Sequence, residues 1–153
     1  MSARGNVLTD LERSVIIVPI EDEATIVSIL KNSKTIAVVG ASPKPWRDSG
    51  SIGQFLVHKG YDVYPVNPKY TEVLDRKCYP DLQSVPVKID IVDIFRNPDQ
   101  VEEVIDAAID IKARAVWMQL GVVNENAAAK AERAGLQVVM DRCIAIEYSR
   151  LIR

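Results

Sequence analysis

The sequence predicts an α/β fold: a single Rossmann-like domain with a five-stranded parallel sheet and helices on both faces. Three observations carry this. Five short apolar runs recur along 153 residues, separated by segments of helix length. The runs are apolar at nearly every position, as strands buried on both faces are. The first run ends in Gly40 and a polar loop that leads into a helix, the arrangement that leaves free N–H groups facing a ligand.

Met1 to Ser14 is polar, and Val15 to Ile20 reads as an extended arm. Glu21 to Asn32 carries Ile26, Val27, Ile29 and Leu30 at helical spacing, with acids leading and Lys31 closing. Thr35 to Val39 is strand one. Ser49-Gly50-Ser51 offers an N-cap for a helix to Lys59, and Gly60 stops it. Tyr61 to Val66 is strand two, ended by Asn67-Pro68. Lys69 to Val85 is irregular, with a helical turn near Tyr79 to Leu82. Ile89 to Phe95 is strand three, apolar except for Asp90 and Asp93. Pro98 begins a helix whose stripe of Val101, Val104, Ile105, Ala108 and Ile109 faces the core. Ala113 to Leu120 is strand four. Asn124 caps a helix ending at Gly135, Leu136 to Met140 is strand five, and Ile144 to Ile152 is a last helix. The expected strand order is 3-2-1-4-5, with the ligand crevice between strands one and four.

A net charge of -2 gives no electrostatic reason to expect nucleic acid. No apolar run approaches the ~20 residues that span a bilayer. The N-terminus lacks the basic-then-apolar order of a signal peptide, so the expected location is the cytoplasm. Cys78 and Cys143 are far apart and form no metal-type cluster, and His58 has no second histidine to share a metal. No catalytic residue and no metal ligand is assigned. His58 reads as structural, Cys78 as a surface or packing residue.

The loop after strand one begins like G-x-G-x-x-G but has Ser42 at the second glycine and is longer. Ser42, Lys44, Arg47, Ser49 and Ser51 supply donors suited to phosphate oxygens. An NAD site places Asp or Glu at the tip of strand two. Here Asn67-Pro68-Lys69 stands instead, which suits a ligand with an added phosphate, NADP or coenzyme A. Phe95-Arg96 is either an adenine and phosphate contact or a strand end. Gln119 is polar where ligands sit in such sheets, and Trp117 reads as core. Cys143, beside Arg142, is either a reactive thiol or a buried inert one.

Taken together, VVGASPKPWRDSG at Val38 to Gly50, YPVNPKY at Tyr64 to Tyr70, CYPDLQSVP at Cys78 to Pro86, DIVDIFRNPDQV at Asp90 to Val101, AVWMQLGVVNENAAAKAERAGL at Ala115 to Leu136 and VVMDRC at Val138 to Cys143 resemble the stand-alone CoA-binding proteins. Those are similar to the CoA-binding domain of the succinyl-CoA synthetase alpha subunit. The resemblance runs from about Lys34 to the C-terminus. It makes residues 34–153 the CoA-binding Rossmann-like domain, with residues 1–33 an arm and first helix packed on it. It implies that Gly40, Ala41, Ser42, Arg47 and Ser49 hold the pyrophosphate of coenzyme A, and that Asn67, Pro68 and Lys69 border the adenosine and its 3′-phosphate. It also implies that Phe95, Arg96, Pro98 and Val101 shape the adenine side, with Gln119 and Gly121 at the mouth. Cys143 would lie on the ligand-bearing edge, which suggests a thiol-redox or regulatory role. The synthetase reaction is not implied, because it needs a phosphorylatable histidine in a second domain and a partner subunit. A protein that binds CoA or an acyl-CoA without turnover is therefore expected; an NADP-dependent oxidoreductase is the alternative. A protein partner or a homo-oligomer is left open.

Overall fold

The computed structural model describes residues 19–153; Met1 to Ser14 and most of the Val15–Ile20 arm lie outside them. Ile20, which is described, donates its N–H to Val138 O at 2.7 Å. Helix α1 (Glu23–Asn32) starts at Asp22, whose carboxylate accepts from Thr25 N. Strand β1 is Thr35–Val39, helix α2 Asp48–His58 and strand β2 Asp62–Val66. A small hairpin follows, β3 (Glu72–Val73) with β4 (Arg76–Lys77), and then a 3-10 turn at Leu82–Ser84. Strand β5 is Ile91–Ile94. A 3-10 turn at Pro98–Gln100 runs into α3 (Val101–Asp110). Strand β6 (Ala115–Met118), α4 (Glu125–Arg133), β7 (Gln137–Val139) and α5 (Ile144–Leu151) complete the chain. Among the described residues no helix is long and apolar enough to cross a membrane.

The five long strands form one parallel sheet in the order β2-β1-β5-β6-β7. The fold class is the expected one: α/β, parallel, helices on both faces. The position of the third sheet strand corrects the expected order. It lies between the first and the fourth, not outside the second. Local bonds fix it there. The Asp90 carboxylate accepts from Lys34 N at 2.7 Å and Thr35 N at 3.2 Å, and the Thr35 hydroxyl donates to Lys88 O at 2.7 Å. Every residue of β5 is buried, as an interior strand requires and an edge strand does not.

The helices follow from right-handed crossovers. The chain steps from β1 to β2 in one direction, and α2 lies on one face with α1 and α5. It steps from β5 to β6 to β7 in the other direction, and α3 and α4 lie on the opposite face. Ile26, Leu30, Val38, Leu56, Ile91, Trp117 and Ile144 fill the first interface. Val92, Ile94, Val104, Ile105, Met118 and Ala131 are among those that fill the second. One group breaks the apolar pattern. Asp93, paired in register with Val38 and Trp117, is fully buried, and neither carboxylate oxygen has a partner among the described residues. Burial pushes its pKa well above the ordinary value.

The segment read as irregular holds the β3–β4 hairpin, and Tyr79 makes a parallel bridge to Val66. The hairpin turn places Leu74 and Asp75 at φ of 59° and 56° without a glycine. Helix α2 also begins earlier than expected: Arg47, not Ser49 to Ser51, is its N-cap residue.

Candidate functional site

The strand order reverses between β1 and β5, and the loops at the C-terminal ends of all five sheet strands converge there on a cleft of about 1050 Å³. From the loop after β2 come Asn67, Pro68, Lys69 and Tyr70. The loop after β1 and the start of α2 bring Gly40, Ser42, Lys44, Trp46, Arg47, Asp48, Ser49 and Ile52. The loop after β5 adds Phe95, Arg96, Asn97 and Gln100, and the loop after β6 Gln119, Leu120 and Val122. Cys143 and Ile146 close the far end at α5.

The floor is made by close backbone approach. Gly40 N donates to Val66 O at 2.9 Å, and Phe95 N donates to Val39 O at 2.9 Å. A Cβ on Gly50 would sit 2.3 Å from Lys44 O, so glycine there lets the first turn of α2 lie against its own entry loop. The N–H groups of Asp48 and Ser49 in that turn have no acceptor among the described residues, and both residues line the cleft. With the helix dipole they favour an anion. The Ser42 hydroxyl accepts from Lys44 N at 3.2 Å and keeps its own proton for donation. Lys44, Arg47, Lys69 and Arg96 bring four positive charges to the same half of the cleft. Among the described residues, Asp48 is the one acidic side chain in the lining.

Asn67 works between the loops. Its Nδ2 donates to Ala41 O at 2.8 Å, and its Oδ1 accepts from Lys69 N at 2.9 Å. It therefore ties the loop after β1 to the loop after β2 and sets where Lys69 stands.

The CoA binding domain model matches residues 34–149. The chain belongs to the CoA-binding domain family. An uncharacterized protein of Bacillus subtilis is 37% identical over 127 residues, covering 83% of this chain and 94% of that one. An ADP-forming acetate–CoA ligase I of Archaeoglobus fulgidus is 31% identical over 121 residues, 72% of this chain but 18% of the ligase. Among solved structures, a hypothetical protein from Pyrococcus horikoshii OT3 matches with a TM-score of 0.85 at 46% identity, over 90% of this chain and 98% of that one.

Of the candidate ligand-binding residues singled out in the sequence, Gly40, Ser42, Lys44, Arg47, Ser49, Asn67, Pro68, Lys69, Phe95, Arg96, Gln119 and Cys143 line the cleft. Five do not. Ser51 is exposed on α2, its hydroxyl donating to Asp48 O at 3.3 Å. Ala41 is buried behind the loop. Pro98 opens the 3-10 turn, and its carbonyl accepts from Asn124 Nδ2 at 2.9 Å. Val101 is fully buried in the core under α3. Gly121 serves a turn at φ +86°, its N–H donating to Asp141 Oδ1 at 2.8 Å. Gln119 is buried, and its Oε1 accepts from Ile144 N at 3.1 Å, so it secures the start of α5 as well as lining the cleft. Cys143 is half-buried and free. Cys78 is buried, and burial pushes its thiol pKa up; its Sγ lies 3.6 Å from Asn67 O. Trp117 is core, its Nε1 donating to Arg142 O at 2.8 Å.

Sequence reading missed Trp46, Asp48, Ile52, Tyr70, Asn97, Gln100, Leu120, Val122 and Ile146. Trp46 is 76% exposed although tryptophan usually packs inside. The only signal for it in the sequence is its place between Lys44 and Arg47 in the donor-rich loop.

Proposed function

We propose that this cleft binds coenzyme A, its phosphates held by Ser42, Arg47 and the free N–H groups at the start of α2. Lys69 takes the 3′-phosphate, and Phe95 and Arg96 flank the adenine side. The observation that carries the reading is the gathering of Lys44, Arg47, Lys69 and Arg96 around an unsatisfied helix N-terminus. Membership of the CoA-binding domain family supports it. The tip of β2 offers no carboxylate for a ribose, which disfavours NAD. Calorimetric titration with CoA, 3′-dephospho-CoA and NADP tests the assignment. CoA is expected to bind tightest; tighter binding of NADP would overturn it.

The same cleft supports a thiol role for Cys143. Its thiolate attacks the disulfide of oxidised CoA, forming a protein–CoA mixed disulfide and releasing one CoA thiolate. The supporting observation is that Cys143 lines the cleft and is half-buried rather than sealed. Intact-mass measurement after treatment with CoA disulfide should show one added CoA, released by dithiothreitol. No added mass, or equal addition to Cys143→Ser, would remove this role and leave non-covalent binding standing.

A further inference from the structure

The cleft is polarised along the sheet. Its cations, Lys44, Arg47, Lys69 and Arg96, all come from the loops after β2, β1 and β5. The loops after β6 and β7 bring none that is unpaired. Arg142, in the loop before α5, is bonded to Glu147 at 3.2 Å and does not line the cleft. What that end presents instead is apolar: Leu120, 65% exposed, Ile146, 56% exposed, and buried Val122, around Cys143.

The exposure of Leu120 is built in. Its loop is held on both sides by hydrogen bonds, Val122 N to Gln119 O at 2.8 Å and Gly121 N to Asp141 Oδ1 at 2.8 Å. Gln119 Oε1 accepts from Ile144 N, which fixes the loop against the helix that carries Ile146. Two large aliphatic side chains are thus held in water on a rigid frame, at one end of a cleft whose other end is cationic. Among the described residues the exposed large hydrophobic side chains are Trp46, Val87, Leu120, Val123 and Ile146, and Trp46, Leu120 and Ile146 line this cleft.

Resting on the coenzyme A reading, we infer that the Leu120–Ile146 end is an acyl subsite, so that the ligand is an acyl-CoA thioester with an apolar chain rather than free CoA. The geometry matches the ligand's own polarity. Neighbouring strands are about 4.8 Å apart, so the loop after β6 lies two strand spacings, about 10 Å, from the phosphate-binding loop after β1. A ligand anchored by its phosphates at β1 and β2 directs its arm across β5 and delivers its sulfur to the β6 and α5 end. Free CoA would place a thiol there and leave Leu120 and Ile146 in water. An acyl chain covers them.

The test is a calorimetric series of CoA and acetyl-, butyryl-, hexanoyl- and octanoyl-CoA on the full chain. Affinity should rise by up to about fourfold per methylene while the chain is covered by the two side chains, then level off. Leu120→Ser and Ile146→Ser should flatten that slope. Binding of CoA with no gain along the series would overturn the acyl subsite and leave the coenzyme A reading intact. No binding of any member would overturn both. A slope unchanged in both variants, accompanied by loss of a dimer in light scattering, would assign the two side chains to a subunit contact instead and end the proposal.

Discussion

A Cβ on Gly40 would lie 2.2 Å from the carbonyl oxygen of Phe95. The residue that follows β1 and the residue that follows β5 thus touch backbone to backbone at the point where the strand order reverses. Gly40 also holds φ at +89°. Contact and conformation both require glycine, and together they seat the loop carrying Arg96 beside the loop carrying Arg47.

Gly40→Ala should therefore damage fold and site together. The left-handed backbone and the forced separation cost about 2–4 kcal/mol. In thermal unfolding this appears as a drop of about 10 °C. CoA affinity should fall with it, because the loops after β1 and β5 move apart. A variant with wild-type melting temperature would show that the loops yield without cost.

Arg47→Ala should weaken CoA binding by about tenfold to a hundredfold, the worth of a charge-assisted contact to phosphate. Arg47 is exposed and makes no side-chain cap bond, so the melting temperature should hardly change. The salt dependence of binding should shrink as well. Unchanged affinity would remove Arg47 from the phosphate site.

Much of this arrangement was legible in the sequence, and the reasons for the rest are specific. Strand β1 and the caps at Asn124, Gly60 and Gly135 follow from local chemistry, and the structure has them where the residues stand. The strand order did not follow, because it depends on Asp90 reaching back to Lys34 and Thr35, a pairing across more than fifty residues. The β3–β4 turn gave no signal, since Leu74 and Asp75 adopt positive φ without the Asn-Gly that normally marks it. Val101 is instructive in the other direction. Its place in the stripe with Val104, Ile105 and Ala108 pointed to the core, where it lies, while the family resemblance put it at the adenine. Trp46 and Trp117 have opposite fates, one exposed in the cleft and one sealed in the sheet, and side-chain type does not distinguish them.

Lys69→Ala separates two ligands. Lys69 is exposed at the cleft, and its backbone N–H is fixed by Asn67. If its ammonium meets the 3′-phosphate, the variant loses about tenfold in affinity for CoA and nothing for 3′-dephospho-CoA. Equal losses for both in calorimetry would mean that Lys69 acts through the general potential.

Asp48→Asn should move affinity and stability in opposite directions. The carboxylate sits in the first turn of α2, where it complements the helix dipole but opposes an incoming phosphate. Removing its charge should tighten CoA binding about three- to tenfold and cost about 0.3–1 kcal/mol of stability. Weaker binding in the variant would show that Asp48 contacts a donor on the ligand.

Asp93 predicts a pH dependence of stability. Its carboxyl is sealed between Val38 and Trp117 with no hydrogen-bond partner among the described residues, and burial raises its pKa well above 3.8. In the window between 3.8 and the raised value, the folded chain holds a proton that the unfolded chain has released. Stability is therefore full below the unfolded value and falls as pH rises through the folded one. Asp93→Asn keeps the shape and cannot ionise. It still buries an amide, so at about pH 4 its melting temperature should lie close to that of the wild type. At about pH 8 the variant should melt higher, because only the wild type must carry either a buried charge or a proton held against the solvent. Asp93→Val, which also removes the unsatisfied polar atoms, should melt higher at both pH values. The comparison needs only thermal unfolding of three proteins at two pH values. A difference between wild type and Asp93→Asn that does not grow with pH would mean that Asp93 finds a partner in solution, most simply a buried water, and is not held neutral by its burial.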